Sequence, residues 1–240
     1  YAVTWNVSEN ATVTVTDHDE LPSEVAEGTT LTFQVASNSG YEVDSARAND
    51  RTLRADKEGN YSVDVKADTT IEVETIEQVS SVTVKTNPTT MTYYAGEKVD
   101  TDGMVVEEAY GSGRTAAETD YSIVYESGSA FALGDTSFSV RFRGVDSDPV
   151  QLSAPVEVKI TIDPNGGEIA ADYVAALEAN DELHMISSDD ADVIAFSYAS
   201  LTENVALPTA EQWSRGTEGD YIFTGWSNGV TEIAADNESS

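Results

Sequence analysis

Histidine, the residue type most often used for acid–base catalysis, occurs only twice in this sequence, as His18 and His184. A Ser-His-acid site requires a histidine that is held by a carboxylate. His18 lies in a polar run at 17–20 between two strand patterns, and His184 follows a segment rich in helix formers, so we interpret both as structural. The sequence contains no GxSxG, HExxH or phosphate-loop pattern. We therefore predict that the chain is not an enzyme and has no catalytic residues.

Carboxylates are abundant, since Asp and Glu supply 44 of the 240 residues. Carboxylate pairs arise by chance at this density, and glycoside hydrolysis by such a pair also requires a cleft lined with aromatic rings. Calcium requires several oxygen ligands that converge on one point. Three acidic clusters occur, Asp17/Asp19/Glu20, Asp146/Asp148 and Asp189/Asp190/Asp192. None has the spaced D-x-D-x-D-G pattern, so we interpret them as solvated loops and predict no metal or cofactor; Asp189–Asp192 is the first cluster to test with calcium.

Carbohydrate binding needs exposed aromatic rings that stack on sugar faces, and the sequence offers few. Trp5 lies within an alternating strand pattern and Trp226 closes another, so we predict that both belong to cores. Tyr93 and Tyr94 are adjacent, and successive side chains of a strand point to opposite faces. One of these rings should therefore be buried and the other exposed. Trp213 lies in a polar stretch and is the other candidate for an exposed ring.

Charge and composition exclude several classes of partner. Lys and Arg number 12 against 44 acids, which gives a formal net charge of −32. Nucleic acids and anionic membrane surfaces are bound by clustered Lys and Arg, so we expect neither as a partner. Cysteine is absent, which excludes disulfides, thiol nucleophiles and Cys-ligated metals. No run reaches the ~20 apolar residues of a membrane span, and because the chain begins with Tyr1 we interpret it as a piece of a longer protein.

Alternating Val, Thr, Tyr and Ser residues predict half-buried antiparallel strands through most of residues 1–162. The clearest predicted strands are Val3–Val7, Thr12–Thr16, Thr30–Ala36, Tyr61–Lys66 and Thr70–Thr75. Residues 170–180 differ, because Ala, Leu and Glu favour a helix there and Tyr173, Val174 and Leu177 share one face. The fold class that follows is mainly β.

Three blocks divide the chain at short linkers near residues 77 and 158. Residues 1–77 carry 16 acids and 5 bases, residues 78–158 carry 12 and 5, and residues 159–240 carry 16 and 2. The acidity is therefore spread over the whole chain. We predict three small β modules in tandem that abut end to end as a semi-rigid rod.

The middle block contains a distinctive stretch from Val82 to Gly113, VTVKTNPTTMTYYAGEKVDTDGMVVEEAYGSG, with the elements P-T…T-Y-Y-A-G-E and D-T-D-G-M-V-V. Through these elements the block resembles a bacterial immunoglobulin-like domain of the group 3 type. The segment Ala132–Gly134, followed by Thr136–Phe142, resembles the closing hairpin. Gly96 and Gly103 fall where turns need a positive φ. Val99, Met104 and Val106 can point inward, as can the alternating Phe138, Val140 and Phe142. The resemblance implies an immunoglobulin-like sandwich.

The last block contains ITIDPNGG at 160–167, LPT at 207–209 and YIFTGW at 221–226. These segments are similar to the first strand and turn, the later strand and the ending of an internalin-type B repeat, a small β-grasp-like α+β module. Residues 168–205 form a longer link than the family usually has. Block one resembles, more loosely, the β-rich repeats found beside such modules, through G-Y-E-V and A-D-T-T-I-E-V.

Together these resemblances imply a multi-module exterior protein of a Gram-positive bacterium. Some domains of this kind contain Lys–Asn or Lys–Asp isopeptide cross-links, for which Lys85 and Lys159 are placed on first strands; ordinary surface lysines are the alternative. The function we expect is a non-enzymatic stalk, spacer or adhesin of an extracellular, cell-surface or secreted protein. It would be monomeric as a fragment, with a host glycan or matrix protein as its partner. The alternatives are accessory modules of a large secreted enzyme, such as a glycoside hydrolase, and a fragment that is itself a binding module.

Overall fold

In the computed structural model the described part of the chain comprises residues 1–201, 204–215, 225–227 and 232–234. Strands account for 45% of the residues and helices for 5%, and the strands form several small sheets. The prediction of a mainly β protein is therefore confirmed, and the architecture fits small β modules in tandem. No helix among the described residues is long and apolar enough to cross a membrane.

The chain divides into two compact units. Unit 1 contains Tyr1–Asn87, Gly103–Ile123 and Ser139–Pro149, and unit 2 contains Pro88–Asp102, Val124–Phe138 and Val150–Ser240. The linkers expected near residues 77 and 158 each lie inside one unit.

Residues 1–77 belong to unit 1 and form two sheets around one core. Their strands are β1 (Val3–Val7), β2 (Ala11–Val15), β3 (Thr30–Ser37), β4 (Tyr41–Ala48), β5 (Arg51–Thr52), β6 (Asn60–Asp64) and β7 (Thr69–Glu77). One sheet has the order β1-β7-β4-β5 and the other β2-β3-β6. β1 is parallel to β7, and the other pairs are antiparallel. All five predicted strands are confirmed to within two residues, but the prediction of antiparallel pairing is wrong for β1 with β7.

The alternation that predicted these strands also builds their core. Leu31 and Phe33 of β3, with Ile71 and Val73 of β7, are each at most 1% exposed, because every second residue of a strand points to the same face. Trp5 packs edge-to-face on Phe33 with ring centroids 5.4 Å apart. It is half-buried beside the core, as predicted.

The rest of unit 1 contains a further sheet, which is antiparallel. Its strands, in the order β10-β9-β8, are β8 (Val79–Thr86), β9 (Val105–Tyr110) and β10 (Thr115–Glu118). Val106 is 2% exposed, as its inward position predicted. The expected positive φ is confirmed at Gly103 in unit 1 (+75°) and at Gly96 in unit 2 (+91°).

Four short strands follow, namely β11 (Ser122–Tyr125), β12 (Ser137–Phe142), β13 (Val145–Asp146) and β14 (Val150–Gln151). In unit 1 the end of β12 pairs with β13, and in unit 2 its start pairs with β14. Phe138 and Val140 are at most 1% exposed, as predicted, whereas Phe142 is half-buried. In unit 2, Phe131 is the centre of a ring cluster with Tyr93 at 4.7 Å and Tyr125 at 5.0 Å.

The described residues in the rest of unit 2 combine small sheets with one α-helix. The elements are β15 (Val158–Ile162), β16 (Glu168–Ile169), α1 (Ala171–Glu178), β17 (His184–Ile186), β18 (Ile194–Tyr198), a 3₁₀ turn (Ala210–Gln212), β19 (Trp213–Ser214), β20 (Gly225–Ser227) and β21 (Glu232–Ala234). The sheet β15-β18-β17 is antiparallel, and two-stranded pairs join β16 to β19 and β20 to β21.

The helix predicted over residues 170–180 is confirmed as α1. Tyr173 and Leu177, one turn apart, pack with Ile162 and Phe196 in the core of this region. Burial raises the pKa of Tyr173 to about 12, and its hydroxyl donates to the carbonyl of Ala206 at 2.8 Å. Of the predicted ending at 221–226, residues 221–224 and the side chain of Trp226 lie outside the described part of the chain.

Candidate functional site

The three predicted acidic clusters consist of exposed residues. The acids at 17–20, together with His18, are exposed, and so are those at 189–192, where backbone N–H groups bond to Ser188 Oγ and Asp190 Oδ1. Asp146 is held by the guanidinium of Arg141, which lowers the pKa of that carboxyl. Within the described ranges, no group of three or more His, Cys, Asp or Glu side chains is arranged to hold a metal ion.

The aromatic candidates are mostly engaged in packing. Tyr93 is 3% exposed, as predicted for one ring of the pair, whereas Tyr94 is half-buried rather than exposed. Trp213 is half-buried rather than exposed, and its indole N–H donates to the carbonyl of Pro164 at 3.1 Å. A Cβ on Gly167 would lie 2.6 Å from that indole nitrogen, so Trp213 closes the turn of the DPNGG sequence.

The two lysines considered for cross-links have other contacts. Lys85 Nζ lies 2.9 Å from Glu107 Oε1, and Lys159 Nζ lies 5.3 Å from the centre of the Tyr94 ring. An isopeptide bond requires an Asn or Asp side chain at the amine, and neither lysine has such a contact among those described.

A more extensive polar site lies where the first linker was expected, inside unit 1. We call it the first junction; it joins residues 1–77 to the strands that follow. Gln78 alone separates β7 from β8. Its N–H donates to the carbonyl of Gly40, and its carbonyl accepts from the N–H of Gly111, both at 2.8 Å. Both backbone polar groups of the linker are therefore paired.

Gly40 and Gly111 bring two turns of the first junction into backbone contact. A Cβ on Gly40 would lie 2.5 Å from the carbonyl carbon of Gly111, and a Cβ on Gly111 would lie 2.5 Å from Cα of Gly40. Gly40 also has a φ of +85°, which only glycine adopts without strain. Any side chain at either position would separate the two turns.

The carboxylate of Glu77 bonds to the same turn. Arg114 Nε donates to Glu77 Oε2 at 2.7 Å, and Ser112 Oγ donates to Oε1. The guanidinium of Arg114 also lies 4.0 Å from the centre of the Tyr110 ring. The hydrogen bond from Arg114, followed by that from Ser112, lowers the pKa of Glu77. The carboxylate therefore remains charged, and the contact persists, throughout the neutral range.

Arg143 adds a second cation to the first junction. Its Nη1 donates to the carbonyl of Glu77 at 2.8 Å, and its Nη2 donates to Glu42 Oε1 at 2.7 Å. Arg143 has a φ of +47° in the two-residue turn with Gly144, a position where Asn or Gly is usual. A left-handed arginine carries backbone strain. Its two hydrogen bonds to residues 1–77 are the compensating contacts.

A second polar site lies inside unit 2, where the other linker was expected. We call it the second junction; it is centred on Glu157, just before β15. The Glu157 carbonyl accepts from the N–H of Ala95 at 2.9 Å. Its carboxylate accepts from Ser197 Oγ at 2.5 Å and contacts His184 Nδ1 at 2.8 and 3.0 Å. One residue thus connects three segments of the chain.

The hydrogen bonds of the second junction favour a role in holding chain segments together over a catalytic role. A serine nucleophile must bond to the imidazole, whereas here Ser197 and His184 both bind the carboxylate, and Ser197 is 2% exposed. Burial, the largest single influence, would raise the pKa of Glu157, but the hydrogen bonds from His184 and Ser197 together outweigh it and lower the pKa. His184 itself is 64% exposed.

Sequence reasoning found His184 but missed its partners and all the residues of the first junction. The available signal was the scarcity of cations: residues 78–158 carry only five bases, and two of them, Arg114 and Arg143, serve the first junction. Their targets are distant in sequence, since Arg143 and Glu42 are 101 residues apart.

Comparison with known proteins supplies no relative. No protein-family model matches the chain, and neither the curated proteins nor the solved structures compared with it give a match. The resemblances to immunoglobulin-like and internalin-type modules therefore stay predictions.

Proposed function

We propose that this chain is a non-enzymatic spacer of a bacterial cell-surface or secreted protein, built from small β modules that are clamped where they meet. The first junction is the observation that carries the proposal. Its linker has both backbone polar groups paired, and two glycines lie in backbone contact. Two arginines bond to two carboxylates and one carbonyl of residues 1–77. A rigid junction suits a spacer, because a spacer must keep the parts that it connects at a fixed separation.

Charge supports the same function. A net charge of −32 keeps such a chain soluble and opposes self-association, consistent with a monomer. The resemblances of the second and third blocks imply an immunoglobulin-like module and a β-grasp-like module on the outside of a Gram-positive cell. A stalk of this kind presents an adhesive partner site to a host glycan or matrix protein.

Distance measurement between two spin labels tests the clamp directly. The chain has no cysteine, so labels placed at Lys57→Cys and Thr119→Cys, both exposed in unit 1, are the only ones. We expect one narrow distance distribution in the parent chain. Gly40→Ala should broaden it, because the added Cβ meets the backbone of Gly111.

Gly59→Ala is the matched control for Gly40→Ala. Gly59 has almost the same φ, +86°, but nothing lies within 4 Å of an added Cβ, so it carries the backbone strain without the contact. Its distribution should stay narrow. A broad distribution in the parent chain, or equal broadening in both variants, would contradict the spacer.

An open groove in unit 1 favours a second candidate function, a ligand-binding module such as an accessory module of a secreted glycoside hydrolase. The groove has a volume of about 740 Å³ and is lined by residues 5–8, Asp44 and residues 72–76. Its amide and carboxylates can bond to hydroxyl groups beside an aromatic residue. A glycan and matrix-protein array run in calcium tests this candidate. A saturable hit that is lost in Asn6→Ala would favour it over the spacer, whereas a blank would leave the spacer alone.

A further inference from the structure

The open groove of unit 1 lies where one strand ends beside a longer one. β1 ends at Val7, whose partner is Val73, whereas its parallel neighbour β7 continues to Glu77. Residues 5–8 and 72–76 line the groove. Because successive side chains of a strand point to opposite faces, a lining of consecutive residues includes backbone as well as side chains. The groove therefore gives a ligand access to the part of β7 that β1 does not cover.

Hydrogen-bond directions along β7 identify the backbone groups that face the groove. The Val73 carbonyl accepts from the N–H of Ser8 at 2.9 Å, and the Glu77 carbonyl accepts from Arg143 at 2.8 Å. Residues two apart in a strand point their backbone groups to the same side, so the N–H and C=O of Thr75 also point to this side, away from β4. Val73 and Glu77 are about 13 Å apart along the strand, which leaves room for about three residues of a further strand.

Three carboxylates line the groove, and none of its described lining residues is Lys, Arg or His. Asp44 and Glu74 are exposed, and Glu72 is half-buried. Glu74 accepts a hydrogen bond from Ser45 at 3.1 Å, and none of the three carboxylates forms an ion pair among the contacts of the described residues. Arg47 lies opposite Glu72 in register but outside the lining. The groove therefore attracts a cationic ligand.

The rest of the lining suits the stem of a long cationic side chain. Trp5 and Val7 are half-buried, and Ile76 is 37% exposed. Lys and Arg bury their methylene stems on apolar surface, and their charged ends are attracted to the face of a tryptophan ring. A sugar needs an exposed ring on which to stack, whereas Trp5 packs edge-to-face on Phe33. The lining therefore favours a basic peptide over a glycan.

We propose that the groove binds an extended peptide rich in lysine or arginine, which adds a short strand to β7 at Thr75. Main-chain hydrogen bonds to Thr75 supply affinity, and the carboxylates select cationic side chains over anionic ones. A second copy of this chain is a poor occupant, because its net charge is −32. The inference goes beyond the spacer and does not depend on it, since the residues of the first junction do not line the groove.

Amide hydrogen exchange in the intact chain, followed by NMR, tests this proposal with a capped heptapeptide of alternating lysine and valine as the probe. Saturating peptide should raise the protection of the Thr75 N–H about two- to tenfold, the range that corresponds to one backbone hydrogen bond. The amides of Glu74 and Ile76, which face β4, should be protected with and without peptide. Peptide that binds without protecting Thr75 would be held by charge alone, and that result, or no binding at all, would overturn the proposal.

Glu74→Gln and Glu27→Gln form a matched pair of variants. Both remove one exposed carboxylate from unit 1, but only Glu74 lines the groove. The dissociation constant of the peptide should rise about two- to fivefold in Glu74→Gln, the range for an exposed ion pair, and should not change in Glu27→Gln. Equal effects of the two variants would mean that the overall charge, rather than the groove, attracts the peptide. A saturable glycan hit that is lost in Asn6→Ala, without peptide binding, would assign the groove to sugars instead.

Discussion

The two junctions solve the same problem with different chemistry. The first uses backbone contact between Gly40 and Gly111 and the guanidinium groups of Arg114 and Arg143. The second gathers three segments around one carboxylate, Glu157. Near neutral pH arginine stays charged, and the lowered pKa values of Glu77 and Glu157 keep both carboxyl groups ionised. The comparison teaches that a junction can be held by backbone contact between two turns or by one carboxylate that several segments share.

The largest expected effect is that of Gly111→Ala in the first junction. An added Cβ would lie 2.5 Å from Cα of Gly40, and neither backbone can move without shifting its turn. We expect a loss of about 3 kcal/mol in the free energy of unfolding, at the upper end of overpacking costs, measured by urea denaturation.

Gly113→Ala is the control for this prediction. It lies in the same turn with a φ of +90° and no atom within 4 Å of an added Cβ, so its cost should be the left-handed strain alone, about 1 kcal/mol. Exchange at the Ala95 amide should not change in either variant. Equal losses in the two variants would mean that the contact between the glycines is not what holds the first junction.

Glu157→Ala should have the next largest effect, this time on the second junction. It leaves the hydroxyl of Ser197, which is 2% exposed, without its acceptor, at a cost of about 1–3 kcal/mol. Glu157→Gln keeps an acceptor and should lose less. Thermal unfolding compares the two variants, and equal stability of Glu157→Ala and the parent chain would show that the carboxylate is not needed.

Strong acid should weaken both junctions. The pKa values of Glu77 and Glu157 lie below the usual value for a glutamate. A carboxyl with a depressed folded-state pKa contributes stability that is fully present above its unfolded pKa and is lost as pH falls through the folded one. The urea concentration at the midpoint of denaturation should therefore decrease as the pH is lowered below about 4.5. In the double variant with Glu77→Gln and Glu157→Gln, the midpoint urea concentration should change less steeply with pH in this range. An unchanged dependence on pH would assign the acid sensitivity to other groups.

The smallest expected effect is that of Arg114→Lys. Lysine retains the charge but not the paired N–H groups that reach Glu77, nor the planar group over Tyr110. Because Arg114 is about half exposed, we expect only a slight fall in stability with a larger dependence on salt. Spin-label distances across the first junction should broaden less than in Gly40→Ala; broadening as large as in that variant would show that the arginine, rather than the glycine contact, dominates.

Local patterns predicted the elements well and the sites poorly. Alternation in residues 30–36 and 70–75 identified β3 and β7 and their buried Leu31, Phe33, Ile71 and Val73, because a strand's face is fixed by a period of two. The same reasoning made Trp213 a candidate for an exposed ring, since its neighbours are polar. Patterns of neighbouring residues do not reveal that the indole N–H donates to the carbonyl of Pro164, which lies 49 residues earlier.

The sequence by itself determined that the chain is strongly acidic and free of cysteine. It also determined that the chain is mainly β and that a helix forms near residues 171–178. These properties depend on composition and on neighbours a few residues apart. Only the tertiary structure decided that Arg143 meets Glu42 and that Glu157 meets both His184 and Ser197. Such contacts join segments that lie far apart in the chain. Local sequence periodicity does not predict which distant carboxylate will pair with a given cation, because that depends on how the sheets pack.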